Sequence, residues 1–100
     1  QPDIRWTGGL SETLKICDLA AAHGIEAMPH RGAMAWPLHL IIARMNCPLA
    51  EGVALTPQEA ACTIFEGEPL PEGGYVAVSD SPGFGLTLNR EAVGRFRSET

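Results

Sequence analysis

Apolar residues recur at Leu10, Leu14, Cys17 and Ala21, a spacing that puts them on one face of an α-helix. Gly8 and Gly9 precede the stretch, Glu12 falls in its first turn, and Gly24 follows His23 where the period stops. A first amphipathic helix is predicted between these glycine signals. Residues 25–29 are a short apolar run, and because Pro29 suits only the end or edge of a strand, a strand is predicted to finish there. His30 then lies just past its C-terminal end. Over residues 35–45, Leu38, Ile41, Ile42 and Met45 return to helical spacing, with Pro37 acceptable within the first turn. Pro48 closes this second helix. Residues 49–55 predict another strand, with Glu51 interrupting the apolar pattern. The order helix, strand, helix, strand implies a parallel sheet.

Beyond Thr56 the chain is punctuated by Pro57, Pro69, Pro71, Gly73-Gly74, Pro82, Gly83 and Gly85, so a loop-rich tail is expected. Within it, residues 75–78 predict a small strand, and Asn89 is the expected N-cap of a short helix through Glu91, Val93 and Phe96. With 45% hydrophobic and 19% charged residues over 100 positions, the composition is that of one packed, globular unit. A net charge of -5, with Lys15 the only lysine and the arginines scattered, leaves no basic stripe for a phosphate backbone. Nucleic acid is excluded as an expected partner. The longest apolar run, residues 38–45, is broken by His39 and Arg44 and falls far short of the roughly 20 residues that cross a bilayer, so no membrane span is expected. Cys17, Cys47 and Cys62 lie far apart without metal-ligand spacing and read as buried thiols of a cytoplasmic protein. The opening Gln1-Pro2-Asp3, with no Met and no leader, suggests a segment of a larger protein.

Three polar residues fall at or near predicted strand ends: Asp3, His30 and Glu51. In barrels the C-terminal ends of parallel strands carry the active site, which lets residues distant in sequence converge. A carboxylate bonded to one ring nitrogen fixes a histidine's tautomer and supports the other nitrogen as a base. Asp3 and His30 are therefore expected as neighbours within about 3.2 Å, across one right-handed strand-helix-strand unit. The plainer reading of His30 is a histidine that hydrogen-bonds a loop. His23, in a helix C-terminal turn, and His39, on the second helix, are read as structural. Trp6 and Trp36 have two readings, packing and a place at the mouth of a site. Gly8-Gly9 lacks the spacing of a dinucleotide fingerprint and is read as a tight turn into the helix.

The runs Gln1-Pro2-Asp3, Trp6-Thr7-Gly8-Gly9-Leu10-Ser11-Glu12, Met28-Pro29-His30 and Ser81-Pro82-Gly83-Phe84-Gly85-Leu86, in this order, resemble the C-terminal third of the mandelate racemase group of the enolase superfamily. Pro29-His30, Asn46-Cys47-Pro48-Leu49-Ala50-Glu51, Gly67-Glu68-Pro69-Leu70-Pro71 and Pro82-Gly83-Phe84-Gly85 are most similar to that group's rhamnonate dehydratase family. The 27-residue interval from Asp3 to His30 matches the family's interval between its catalytic Asp and His.

The resemblance implies an α/β fold, the C-terminal part of a TIM-type (β/α)7β barrel. Residues 1–55 would supply the last strand-helix units, and residues 56–100 a loop-rich tail returning toward the capping domain. An isolated piece of a barrel is expected to leave a strand edge and part of its core uncovered. Asp3, His30 and Glu51 would stand at the ends of the sixth, seventh and eighth strands. The implied activity is a Mg2+-dependent sugar-acid dehydratase, a hydro-lyase whose metal ligands lie upstream of this chain, so that the chain alone is inactive. His30 would take the proton next to the substrate carboxylate, and loss of water from the neighbouring carbon would give a 2-keto-3-deoxy sugar acid. Glu51 would hydrogen-bond the substrate carboxylate or enediolate, in a protonated or strongly hydrogen-bonded form. Arg31 and Trp36 are the candidates for substrate contact, Arg31 because Arg31-Gly32-Ala33-Met34 stands where the family has small residues. A solvated loop arginine is the alternative reading of Arg31. The implied partner is a small-molecule sugar acid, and the full-length enzyme is expected to be a homo-oligomer. Two rivals stay open: a racemase or epimerase with a second base upstream, and a non-catalytic module that kept the fold.

Overall fold

The computed structural model describes residues 1–52 and 63–97. Part of the strand expected at residues 49–55, the boundary between residues 55 and 56, and Cys62 lie outside the described residues.

Helix α1 spans Leu10–Ala22, bounded where the glycine signals place it. Gly8 and Gly9 have φ of 103° and 93°, a left-handed turn that a side chain would strain, and Gly24 leaves the helix at φ 65°. Thr13, fully buried in the first turn, is satisfied by the Gly9 carbonyl at 3.0 Å and the Thr7 hydroxyl at 2.7 Å. Helix α2 spans Ala35–Ile42, with Pro37 in its first turn. It stops short of the expected residue 45. Ala43 and Arg44 donate backward to Leu40 and Ile41, a tightened last turn, and Arg44 then pairs with Asp18 of α1 at 3.2 Å. Met45 is left fully exposed.

The core lies between α1 and α2, where Cys17, Leu40 and Ile41 pack with Ile4, Ala27 and Cys47. Burying a side chain such as Leu40 contributes about 1.5–3 kcal/mol. The Cys17 and Cys47 sulfurs are 3.8 Å apart as free thiols, both buried as expected, and burial pushes the Cys47 thiol up to about 11. Asn46 ties the layers together. Its side chain donates to the carbonyls of Cys17 at 2.9 Å and Ile25 at 3.3 Å, while its own carbonyl accepts from Ala27 N–H at 2.8 Å.

The parallel sheet is not formed among the described residues. Residues 25–29 lack strand structure because each flank offers a single bond: Ala27 N–H to Asn46 O on one side, His30 N–H to Pro2 O at 3.0 Å on the other. A ladder needs successive bonds along the same edge. The regular pairing occurs in the tail, where β1 (Phe65–Glu66) runs antiparallel to β2 (Thr87–Leu88). Gly67, at φ 92°, is pressed against the Gly85 carbonyl, so close that a Cβ would sit 2.5 Å from that oxygen. Residues 75–78 form no strand, and Tyr75 makes only an isolated bridge to Glu72. Helix α3 (Arg90–Arg95) starts as predicted, with the Asn89 side chain accepting from Ala92 N–H at 2.9 Å.

The tail is fastened to the helical layer by Glu68. Helix α2 starts at Met34 without a side-chain cap of its own, and Glu68 accepts from Ala35 N–H at 3.0 Å instead. Trp36 meets Phe65 edge to face at 6.0 Å, and His39 meets Phe84 at 5.5 Å. Between α2 and the tail lies a cavity of about 230 Å³ lined by Leu38, His39, Pro69 and Val78, apart from Asp3, His30 and Glu51. Large apolar side chains remain exposed on the α1 side, including Trp6, Ile16, Leu19 and Ile25. No helix among the described residues is long and apolar enough to cross a membrane.

Candidate active site

Three separate pieces of chain bring Asp3, His30 and Glu51 together. The backbone of His30 donates to Pro2, which sets it beside residues 1–3, and Ala33 N–H donates to Glu51 O at 3.0 Å, which sets the loop beside residue 51. Gly32 permits the approach. A Cβ there would lie 2.9 Å from the Pro29 carbonyl and 3.3 Å from Glu51 N.

The expected Asp3–His30 hydrogen bond is absent. Asp3 Oδ1 accepts from Arg5 N–H at 2.9 Å, and Asp3 Oδ2 lies 3.2 Å from the Arg5 guanidinium. An arginine two residues away closes a short loop and offers a permanent charge with several donors, so it wins the carboxylate. The Arg5 side-chain bond holds the Asp3 carboxyl below its ordinary range, and the nearby His30 adds a smaller effect of the same sign. Asp3 and His30 are neighbours as expected, but a different carboxylate meets the ring.

That carboxylate is Glu51. His30 Nδ1 approaches Glu51 Oε2 to 2.8 Å, an ion pair when the ring is charged, and the imidazole is 44% exposed. Glu51 Oε2 also accepts from Arg31 N–H at 2.6 Å, and Glu51 Oε1 accepts from Gln1 Nε2 at 3.1 Å. The Arg31 N–H bond, aided by His30 and Gln1, outweighs burial and lowers the Glu51 pKa. Glu51 is therefore strongly hydrogen-bonded, as expected, but ionised; the protonated form is not favoured.

Arg31 holds a left-handed backbone, φ 54°, the only such non-glycine residue among those described. A long side chain in that region costs on the order of 1–3 kcal/mol. Its Nε is buried without a partner among the described residues. Trp36 is partly buried against the core as well as Phe65, a packing position. Gln1, Gly32 and Glu68 were not singled out for any role from sequence. Only Gly32 carried a signal, a glycine two residues after the candidate histidine.

Residues 1–92 match the model of the family described as Enolase C-terminal domain-like. The chain belongs to that family. The L-rhamnonate dehydratase of Saccharopolyspora erythraea is 38% identical over 96 residues, covering 91% of this chain and 24% of the relative. Among solved structures, L-rhamnonate dehydratase from Gibberella zeae superposes with a TM-score of 0.79 at 37% identity, covering 95% of this chain and 26% of that one. A mandelate racemase/muconate lactonizing enzyme from Jannaschia sp. CCS1 gives 0.74 at 36% identity, covering 93% and 24%. The resemblance to the mandelate racemase group and its L-rhamnonate dehydratases thus stands, and this family member spans about a quarter of the length of the curated relatives it matches.

Magnesium prefers an octahedron of oxygen ligands. Among the described residues no group of three His, Cys, Asp or Glu side chains is placed to hold a metal ion. Asp3 and Glu51 are already committed to Arg5, His30, Arg31 and Gln1. The described residues do not fit the ion.

Proposed function

We propose that this chain carries the proton-transfer centre of a sugar-acid dehydratase, with a rhamnonate-like acid as substrate class. The observation that carries the reading is His30, whose Nδ1 lies 2.8 Å from the Glu51 carboxylate while its ring stays open to solvent, in a chain 37% identical to a solved L-rhamnonate dehydratase.

His30 Nε2 takes the proton from the carbon next to the substrate carboxylate. The electron pair left behind expels the hydroxyl of the neighbouring carbon, which leaves as water with a proton returned by the same histidine. The enol tautomerises to a 2-keto-3-deoxy acid, so one water is lost and no electrons are exchanged. Asp3 contributes negative charge beside the imidazole, which favours the protonated ring formed in the first step. Arg31, with an unpartnered Nε, is assigned to an anionic or hydroxyl group of the substrate. A magnesium ion held outside this chain belongs to the same proposal, as does a homo-oligomeric full-length enzyme; none of the proton transfers above is routed through the ion.

The test is the full-length protein that carries this chain, incubated with a panel of sugar acids and assayed for 2-keto product. Turnover of a six-carbon monoacid sugar such as rhamnonate is expected. Turnover confined to racemisation, with no keto acid formed, would contradict the dehydratase.

A further inference from the structure

We infer that Glu68, on the tail, is a positioning residue for Arg31, holding the turn from which that arginine reaches the substrate. The inference rests on the assignment of Arg31 to a substrate group under the proposed function.

The turn is closed by Met34 N–H donating to Arg31 O at 3.1 Å, and α2 starts at the next residue. Arg31 stands on it with φ 54° and a buried Nε that has no partner among the described residues. A left-handed arginine persists only where its surroundings over-determine the backbone, so both sides of the turn must be held. The entrance is held by His30 N–H on Pro2 O at 3.0 Å. The exit depends on the first turn of α2. There Pro37 has no N–H, and Leu38 N–H reaches Met34 O at 3.0 Å, which leaves Ala35 and Trp36 with donors that the helix cannot satisfy. Ala35 is only 3% exposed, and Glu68 Oε2 accepts its N–H at 3.0 Å. Glu68 is itself fixed. Gly67 before it is pressed on the Gly85 carbonyl, and Phe65 pairs with Leu88 while meeting Trp36 edge to face. The tail therefore sets where α2 begins, and through the Met34–Arg31 bond it sets Arg31.

A cap that only stabilises the helix would leave Arg31 and the kinetics unchanged, whereas a positioning residue moves both. The experiment uses the full-length protein with 15N-labelled arginine, in which Arg31→Ala identifies the Arg31 Nε signal, and rhamnonate as substrate. Glu68→Ala should shift that signal, while Glu68→Gln, whose amide oxygen still accepts from Ala35, should leave it in place. The signal needs no substrate, so it tests the positioning even if rhamnonate is not turned over, an outcome that counts against the proposed function. Arg31→Ala should raise KM at least about tenfold, the scale of a hydrogen bond from a charged group, and Glu68→Ala about threefold to tenfold with a smaller change in kcat. Glu68→Gln should stay within about twofold of wild type. Because Glu68 acts through Arg31, adding Glu68→Ala to Arg31→Ala should change KM by less than about twofold. Circular dichroism checks the fold, and if Glu68→Ala fails to fold, Glu68→Asp, one methylene too short to reach Ala35, replaces it. An unmoved Arg31 signal in Glu68→Ala, a Glu68→Gln variant as impaired as Glu68→Ala, or additive effects in the double variant would overturn the inference. If the signal moves but Arg31→Ala leaves KM unchanged, it is the assignment of Arg31 to the substrate that fails.

Discussion

Glu68 accepts a hydrogen bond from Ala35 N–H at 3.0 Å, so a residue of the tail caps the helix that follows the His30 loop. Met34 supplies no side-chain cap, and the first turn of α2 contains no acidic residue. Removing Glu68 leaves an orphan N–H at the start of that helix. Glu68→Ala is expected to destabilise the protein by about 1 kcal/mol, the usual cost of a lost helix cap, read as a lower urea midpoint at unchanged slope. An unchanged midpoint would mean that water serves Ala35 equally well.

Gly32 has no room for a side chain. A Cβ there would lie 2.5 Å from Ile41 Cδ1 as well as close to the Pro29 carbonyl and Glu51 N. Ile41 can shift its terminal methyl; the backbone atoms cannot yield without moving the site. Gly32→Ala should cost about 1–3 kcal/mol by overpacking. A stability change under about 0.5 kcal/mol would show that the loop and residue 51 are less closely seated than this geometry requires.

Acid should act on Glu51 in a defined direction. Its carboxyl is held below the ordinary 4.5, chiefly by the Arg31 N–H and then by the charge of His30, with burial opposing both. A lowered folded-state pKa gives stability that is complete above the unfolded value and is lost as pH falls through the folded one. Asp3, held below 3.8 chiefly by the Arg5 side chain, follows the same sign. Between pH 6 and pH 3 the wild type should therefore lose more stability than Glu51→Gln, whose residue 51 does not titrate. Parallel melting-temperature curves for the two proteins would contradict the ion pair.

The legible parts of the fold were those written in local signals. Gly9 and Gly24 bracket α1, and Asn89 caps α3, because turn and cap chemistry act within a few residues. The end of α2 was misread because the period continues to Met45, while the chain is turned by Asn46 and the Arg44–Asp18 pair, contacts with α1 that periodicity does not encode. The pairing of Phe65 with Leu88 joins two-residue strands across a long separation, with no alternation to announce it. Asp3, His30 and Glu51 were legible as a group, since His30 follows an apolar run, Glu51 interrupts one, and Asp3 stands 27 residues before His30 as in the family's catalytic pair. Which carboxylate takes the ring was not. That choice depends on Arg5 capturing Asp3 and on the turn at Arg31, both visible only in three dimensions.

The central claim, that His30 moves the substrate proton, is tested most directly by hydrogen exchange. The full-length protein is incubated with its sugar acid in D2O, and the proton next to the carboxylate is followed by NMR in wild type and His30→Asn. His30→Asn removes the ring nitrogen that takes the proton while leaving a side chain that can still hydrogen-bond Glu51. Exchange and keto-acid formation should fall together by at least about 10²-fold, the lower end of the contribution of a positioned general base. Undiminished exchange in His30→Asn would contradict the assignment of His30 as the base, wherever the metal and the rest of the site are held.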